Sequence, residues 1–243
     1  MITHRIGYRE TDARLTCAER HINLAWDTIQ HCHEELRAYL RKDRAFANSF
    51  APVDCLAGAP RIALHMAAAA RRAQTGPMAA VAGAIGWSVV RNLVRDGARH
   101  VVFENGGDIT MYLERAVTIG IYTGTGGPQG LGLRLEPQGK ITACCTSSGI
   151  VGHSFSYGRG NAAVVLADDP ALADATATAL GNRLRRGGAR SLAAALNRTP
   201  CRGVRAMLAF MDGKVAFQGT LPPWVHGLTF TPATSGEVNH ESA

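Results

Sequence analysis

The sequence predicts an α+β protein in which helices come in pairs and the strands form antiparallel runs. Three observations carry that prediction. Strand-like segments follow one another through short turn-rich connections, especially between residues 98 and 145. A two-helix block stands between β segments in each half, at 59–94 and 171–197, so the regular alternation of a βαβ array is missing. The apolar content of 46% is enough for a proper core over 243 residues, which excludes wholesale disorder. The expected organisation is a single domain over 1–225, made of two fused halves joined at roughly 110–140, followed by a polar tail at 226–243.

Arg14–Glu19 alternates as a half-buried strand does. From Asn23 to Lys42 the residues Leu24, Ile29, Leu36 and Leu40 recur at helical spacing, which predicts a long amphipathic helix. A turn-rich stretch, Asn48–Pro60, leads to a second helix over Ala59–Arg72. The third begins at Gly76-Pro77, where proline at the first helical position loses no bond, and continues to Val94 with an Ala/Gly face that admits close backbone approach. Strands are then expected at His100–Phe103, Ile109–Leu113, Ala116–Tyr122, Leu131–Leu135, Lys140–Cys145, Val151–Ser156 and Asn161–Leu166. Asp168-Asp169-Pro170 caps a helix over Ala171–Leu184, Gly187-Gly188 ends it, and Ser191–Asn197 is a short further helix. Val204–Phe210 and Lys214–Gln218 form a last hairpin about Asp212-Gly213.

The formal charge of +7 is spread over the chain and aromatics make up only 6%, so the interleaved pattern of a nucleic-acid binder is absent; the balance suits a small anionic or phosphorylated ligand. The six cysteines show neither zinc-ribbon nor disulfide-framework spacing. With no apolar signal core and no run of transmembrane length, they point to a reducing cytoplasm and no membrane.

Three polar features could carry chemistry. Asn105-Gly106-Gly107-Asp108 joins two strands, and reads either as a hairpin turn or as a loop that lets a ligand approach the main chain. Thr146-Ser147-Ser148-Gly149 follows a strand with a dense set of donors for phosphate or carboxylate, or is a solvated turn; His153 beyond it is a candidate base. Asp174 and Thr178 stand four apart on one helix face, as a hard-cation site or as a polar stripe at an early helix turn. Gly124–Gly130 fails as a dinucleotide fingerprint, because its glycine spacing is wrong and a strand-like segment follows. His31 and His33 face different ways and are no metal pair. Of the adjacent Cys144 and Cys145, one is expected in the core and the other is a candidate reactive thiol. Arg183, Arg185, Arg186 and Arg190 read as complements to a helix C-terminus, with phosphate binding as the alternative.

Asn105-Gly-Gly-Asp-Ile109 resembles the NxGGDI loop of the FAD:protein FMN transferases, the ApbE superfamily. Asp174-Ala-Thr-Ala-Thr-Ala179 is similar to that family's DAxATA helix, and Thr146-Ser-Ser-Gly149 to its TSG turn, in the same order. The closest resemblance is to a cytoplasmic branch that shares Gly76-Pro-Met-Ala-Ala-Val-Ala-Gly-Ala84, and it covers roughly residues 5–220. It implies a duplicated pair of T-fold-like units. It also implies FAD or FMN held by Asn105, Gly106, Gly107, Asp108, Thr146, Ser147, Ser148, Gly149, Gly76 and Met78. Mg²⁺ would sit on Asp174 and Thr178, and catalytic roles would fall to Asp174 and His153. The HxxDPxTG segment that true transferases carry between the TSG turn and the DAxATA helix is missing here. That leaves a divergent transferase and a non-catalytic binding protein both open. The branch is also associated with anaerobic sulfur transfer into homocysteine, an accessory role in which a low-pKa Cys144 or Cys145 would be the feature to find. A homodimer through the Ala/Gly-faced helix is a further expectation.

Overall fold

A computed structural model describes residues 1–124, 129–148, 160–185 and 187–228. Eleven strands and six α-helices are assigned among them. The strands are β1 (Ile2–Tyr8), β2 (Thr11–Cys17), β3 (Val101–Asn105), β4 (Asp108–Tyr112), β5 (Val117–Ile121), β6 (Leu131–Leu135), β7 (Thr142–Ser147), β8 (Ala162–Ala167), β9 (Val204–Met211), β10 (Lys214–Gly219) and β11 (Trp224–Val225). The helices are α1 (Ile22–Lys42), α2 (Arg44–Asn48), α3 (Arg61–Ala73), α4 (Val81–Arg95), α5 (Pro170–Gly181) and α6 (Ala189–Arg198).

Eight strands make one antiparallel sheet in the order β1-β2-β3-β4-β7-β8-β9-β10. On each side of the central β4–β7 pairing the chain runs hairpin, helices, hairpin, so the α+β class and the paired helices are as expected. The helices cover one face. Leu15, Cys17 and Phe103 pack there with α1, α3 and α4, while Cys145, Val165 and Ala209 pack with α5 and α6. The other face carries Ile109, Met111, Cys144, Val164 and Phe210, and is covered by a three-stranded sheet, β11-β6-β5, through Ile119, Ile121, Leu133 and Leu135. The period-two alternation of the strands thus divides their side chains between two cores.

Elements missed by sequence are weakly patterned. β1 is an edge strand with only Ile6 buried, α2 is one short turn held by Asp43 accepting from the Phe46 N–H at 2.9 Å, and β11 pairs just two residues immediately before the expected tail. The expected strand Val151–Ser156 lies outside the described residues. The helix expected from Gly76 begins instead as a 3₁₀ turn, Pro77–Ala80, and becomes α-helical at Val81. Contrary to the expectation from sequence, Pro77–Arg95 is long and apolar enough to cross a membrane by length and composition. It packs as a core helix against α1, α5, β3 and β4, with half of its span buried.

The Ala/Gly face of α4 is used within the chain. A Cβ on Gly83 would stand 2.1 Å from the Pro170 carbonyl oxygen, and one on Gly86 would stand 2.5 Å from Thr110 Oγ1. The face expected to suit a dimer seam is therefore filled by α5 and β4 of the same chain. Gly83→Ala must push α4 away from α5 backbone, which has no flexible end to yield. We expect a loss of about 3 kcal/mol, read as a melting temperature roughly 5–10 °C lower in calorimetry.

Candidate functional site

The 105–108 segment is a two-residue hairpin in which Asn105 pairs Asp108 and Gly106 adopts a positive φ of 64° that favours glycine. Gly107 lies directly on β7: its carbonyl accepts from the Thr146 N–H at 2.9 Å, and a Cβ there would meet the Thr146 carbonyl at 2.8 Å. The two polar segments singled out from sequence therefore touch through their backbones. The second is less of a loop than expected, since β7 runs through Ser147, placing Thr146 and Ser147 in the ladder opposite Val164 and Ala163. Ser147 is buried, and the Ser148 hydroxyl donates to the Asn161 carbonyl at 2.7 Å. Gly149 and His153 lie outside the described residues.

The site is completed from the helix layer. Asp174, on the second turn of α5, is buried at 8% exposure, and its Oδ2 accepts the Gly83 N–H at 2.9 Å with the Ala82 N–H adding a second bond. These are the second and third residues of α4, so Asp174 caps another helix in trans and meets its positive end. The carboxylate this helix end holds is therefore the protein's own. Asp108 points to the same face of the sheet and interacts with Asp174 electrostatically, while bonding the Cys145 thiol and the Thr146 backbone. Burial raises the Asp108 carboxyl well above the usual carboxylate range, and burial together with Asp108 does the same to Asp174. Thr178 lies one turn along from Asp174 and is half-buried, whereas Thr176 between them is fully buried with its Oγ1 unpartnered. Gly76 presses on the Ser49 backbone, where a Cβ would meet its carbonyl oxygen at 1.8 Å, and half-buried Met78 packs against the helix-side core.

The sequence reading did not single out Gly83 or Glu104, and it gave Cys145 a different role. Gly83 was read only as a small residue for close packing, and nothing local marks its N–H as the partner of a residue ninety-one positions away. Cys145 lies between the two carboxylates, and its thiol is raised well above 9.0 by burial first and then by Asp108 and Asp174; the Cys144 thiol, buried in the opposite core, is pushed to about 12. Neither cysteine is the accessible low-pKa thiol that a sulfur-carrying role requires, which corrects that expectation. Glu104 begins the Glu-Asn-Gly-Gly-Asp motif but faces the opposite side of the sheet. It is 5% exposed, its Oε2 has no hydrogen-bond partner, and burial raises its pKa to about 7 despite the opposing charge of Arg14.

A carboxylate raised from 4.5 to about 7 favours folding while protonated, so its contribution is complete below 4.5 and disappears as pH rises through 7. Glu104→Gln should therefore match the wild type near pH 4 and exceed it near pH 8 by up to about 3 kcal/mol in denaturant titrations. Asp108→Asn should shift stability with the same sign.

Several comparisons bear on identity. A family model described as AbpE bacteria matches residues 4–206. A UPF0280 protein of Methanocella arvoryzae is 42% identical over 182 residues, covering 75% of this chain and 74% of the relative. One from Methanosarcina acetivorans is 35% identical over 241 residues, covering 99% and 92%. Among solved structures, a mutant of the flavin transferase ApbE from Vibrio cholerae superposes with a TM-score of 0.52 at 16% identity, covering 90% of this chain and 97% of that one. The apo form of Pseudomonas stutzeri flavinyl transferase ApbE gives 0.52 at 13% identity, covering 89% and 93%. The family model's span and the relatives' identity show that the chain belongs to the AbpE bacteria family, a member of the ApbE-like superfamily.

Proposed function

We propose that this protein binds a flavin nucleotide with a divalent cation where the 105–108 hairpin, the end of β7 and Asp174 converge. The observation that supports the reading most strongly is the pair of carboxylates, half-buried Asp108 and buried Asp174, both raised by desolvation with no cationic side chain beside them among the described partners. Oxygen donors of this kind suit a hard cation. No group of three or more His, Cys, Asp or Glu side chains is arranged to hold a metal among the described residues. That fits Mg²⁺, which takes one or two carboxylates and completes its shell with water and ligand phosphates. Asp174, Thr178 and Asp108 would hold the cation, whose contribution is to neutralise diphosphate charge.

The protein's own groups divide the remaining work. Gly106 and Gly107 are exposed and carry no side chain, so a ring or phosphate can lie against the hairpin backbone, with Asn105 alongside as a polar contact. Asp174, pinned by two α4 N–H groups, is fixed in direction before any ligand arrives. Gly76 and Met78 lie at the 3₁₀ turn before α4 and would contribute to ligand binding on this reading. His153 is the candidate base for a transfer step, which makes this reading a divergent flavin transferase. The six cysteines are all unpaired, which supports a reducing, cytoplasmic setting.

Titrating FAD into the purified protein, with and without Mg²⁺, and following flavin fluorescence tests the reading. Saturable binding at tens of micromolar or tighter that needs Mg²⁺ is expected, with Asp174→Ala weakening it roughly 100-fold. No binding with Mg²⁺ present would reject the flavin site.

A further inference from the structure

At the far end of α5 from the hairpin the structure has a second place where charge converges. We propose that the groove between the C-terminal turn of α5 and one face of α6 is a binding site for a small phosphate-bearing anion, recognised through its phosphate alone.

The groove has a volume of about 340 Å³ and is lined by Arg183 and Arg185 from the turn after α5 and by Ser191 and Arg198 from α6. Ala194 and Ala195 form its floor, and their small side chains leave the room. Ser191, Ala194, Ala195 and Arg198 follow i, i+3, i+4, i+7 spacing and so share one side of α6. No acidic or aromatic side chain lines it. Several arginines elsewhere are paired: Arg5 with Asp12, Arg71 with Asp54, Arg72 with Asp169, Arg99 with Glu114 and Arg134 with Glu136. Among the described residues, no carboxylate lies within ion-pair distance of the three groove arginines. Asp212 packs against Gly187 on the connecting segment, outside the lining.

Two of the guanidinium groups are already oriented. Arg183 Nη1 donates to the Ala179 carbonyl at 2.6 Å and Arg185 Nε to the Asn182 carbonyl at 3.2 Å, which uses one donor of each fork and leaves the rest. Burial holds Arg183 below its ordinary value, the sign of a cation whose surroundings do not compensate it. The start of α6 adds to the field, since Gly188 caps it with no side-chain bond and its first turn has no acidic residue. Helix dipoles account for each arginine singly, but not for three forks facing one cavity. Planar forks match phosphate oxygens in pairs, and no aromatic side chain among the described lining residues offers a further stacking surface for a base or ring. Asn182 is eight residues beyond Asp174, about 12 Å along the helix axis, so this groove is separate from the flavin reading.

The test is calorimetric titration of the full chain at physiological salt with inorganic pyrophosphate, inorganic phosphate and adenosine diphosphate as separate probes. Saturable pyrophosphate binding below about 1 mM is expected, with Arg185→Ala and Arg198→Ala each weakening it at least about tenfold, Arg198→Lys weakening it less, and Arg41→Ala, exposed on α1, leaving it unchanged. Arg185 and Arg198 are exposed, and circular dichroism melts of the variants will verify that they fold. Stronger binding of adenosine diphosphate than of pyrophosphate would overturn recognition through phosphate alone. No saturation by about 10 mM, affinity in the groove-arginine variants equal to that of the unaltered chain, or an equal loss in Arg41→Ala would each overturn the site.

Discussion

The contact on which the rest of the architecture depends is the one between Asp174 and the first turn of α4. α5 is buried over almost its whole length, between the sheet, α3 and α4, so there is no solvent to satisfy either its own polar side chain or the exposed N–H groups at the start of α4. One bond set solves both problems. The Gly83 and Ala82 N–H groups, which no residue within α4 can satisfy, are given to a carboxylate that would otherwise be stranded. The approach is possible only because Gly83 has no Cβ to hold the Pro170 backbone away. Helices from the two sides of the sheet's centre are thereby locked at one height, and the ends of β4 and β7 beneath them are held in register with the same point.

This arrangement concentrates acidity. A carboxylate with two N–H donors is normally stabilised in its charged form, yet Asp174 is held high because burial and Asp108 outweigh those bonds. The Cys145 thiol, on the strand between, responds in the same direction and stays protonated. A nucleophilic or sulfur-carrying cysteine needs a positive neighbourhood, and this one is negative. The chemistry the site favours is therefore cation capture or proton storage rather than thiolate chemistry.

Much of the fold was legible because its helices and central strands carry periods strong enough to read alone. α1 shows its apolar stripe and Asp169-Pro170 marks the start of α5, where Asp169 accepts the Leu172 N–H at 3.3 Å. β1 was not legible, since an edge strand with one buried residue lacks an alternating pattern. Of the site, the hairpin and the Asp174 to Thr178 spacing could be read, because turn chemistry and helical phase are local. That Gly107 would rest on Thr146, or that Asp174 would turn toward α4 and not only toward the sheet, depends on tertiary packing between distant segments. Cys144 and Cys145 show the same limit: alternation says they face opposite ways, but only the three-layer packing shows that both directions are core.

A charge count argues for what the acidic pair is built to receive. Two ionised carboxylates bring −2, and the end of α4 offers roughly half a positive charge. Protonating one carboxyl reduces the imbalance but leaves a net negative centre in a place that burial already makes costly. On the proposed reading a divalent cation would bring the carboxylates to neutrality while the Gly83 N–H stays with Asp174 Oδ2. A ligand phosphate added to that cation could then lie over the side-chain-free Gly106-Gly107 turn without facing a naked carboxylate. On the proposed reading the electrostatics would set the order, proton or cation first and anionic ligand second, since the reverse would bring like charges together beside a buried carboxylate.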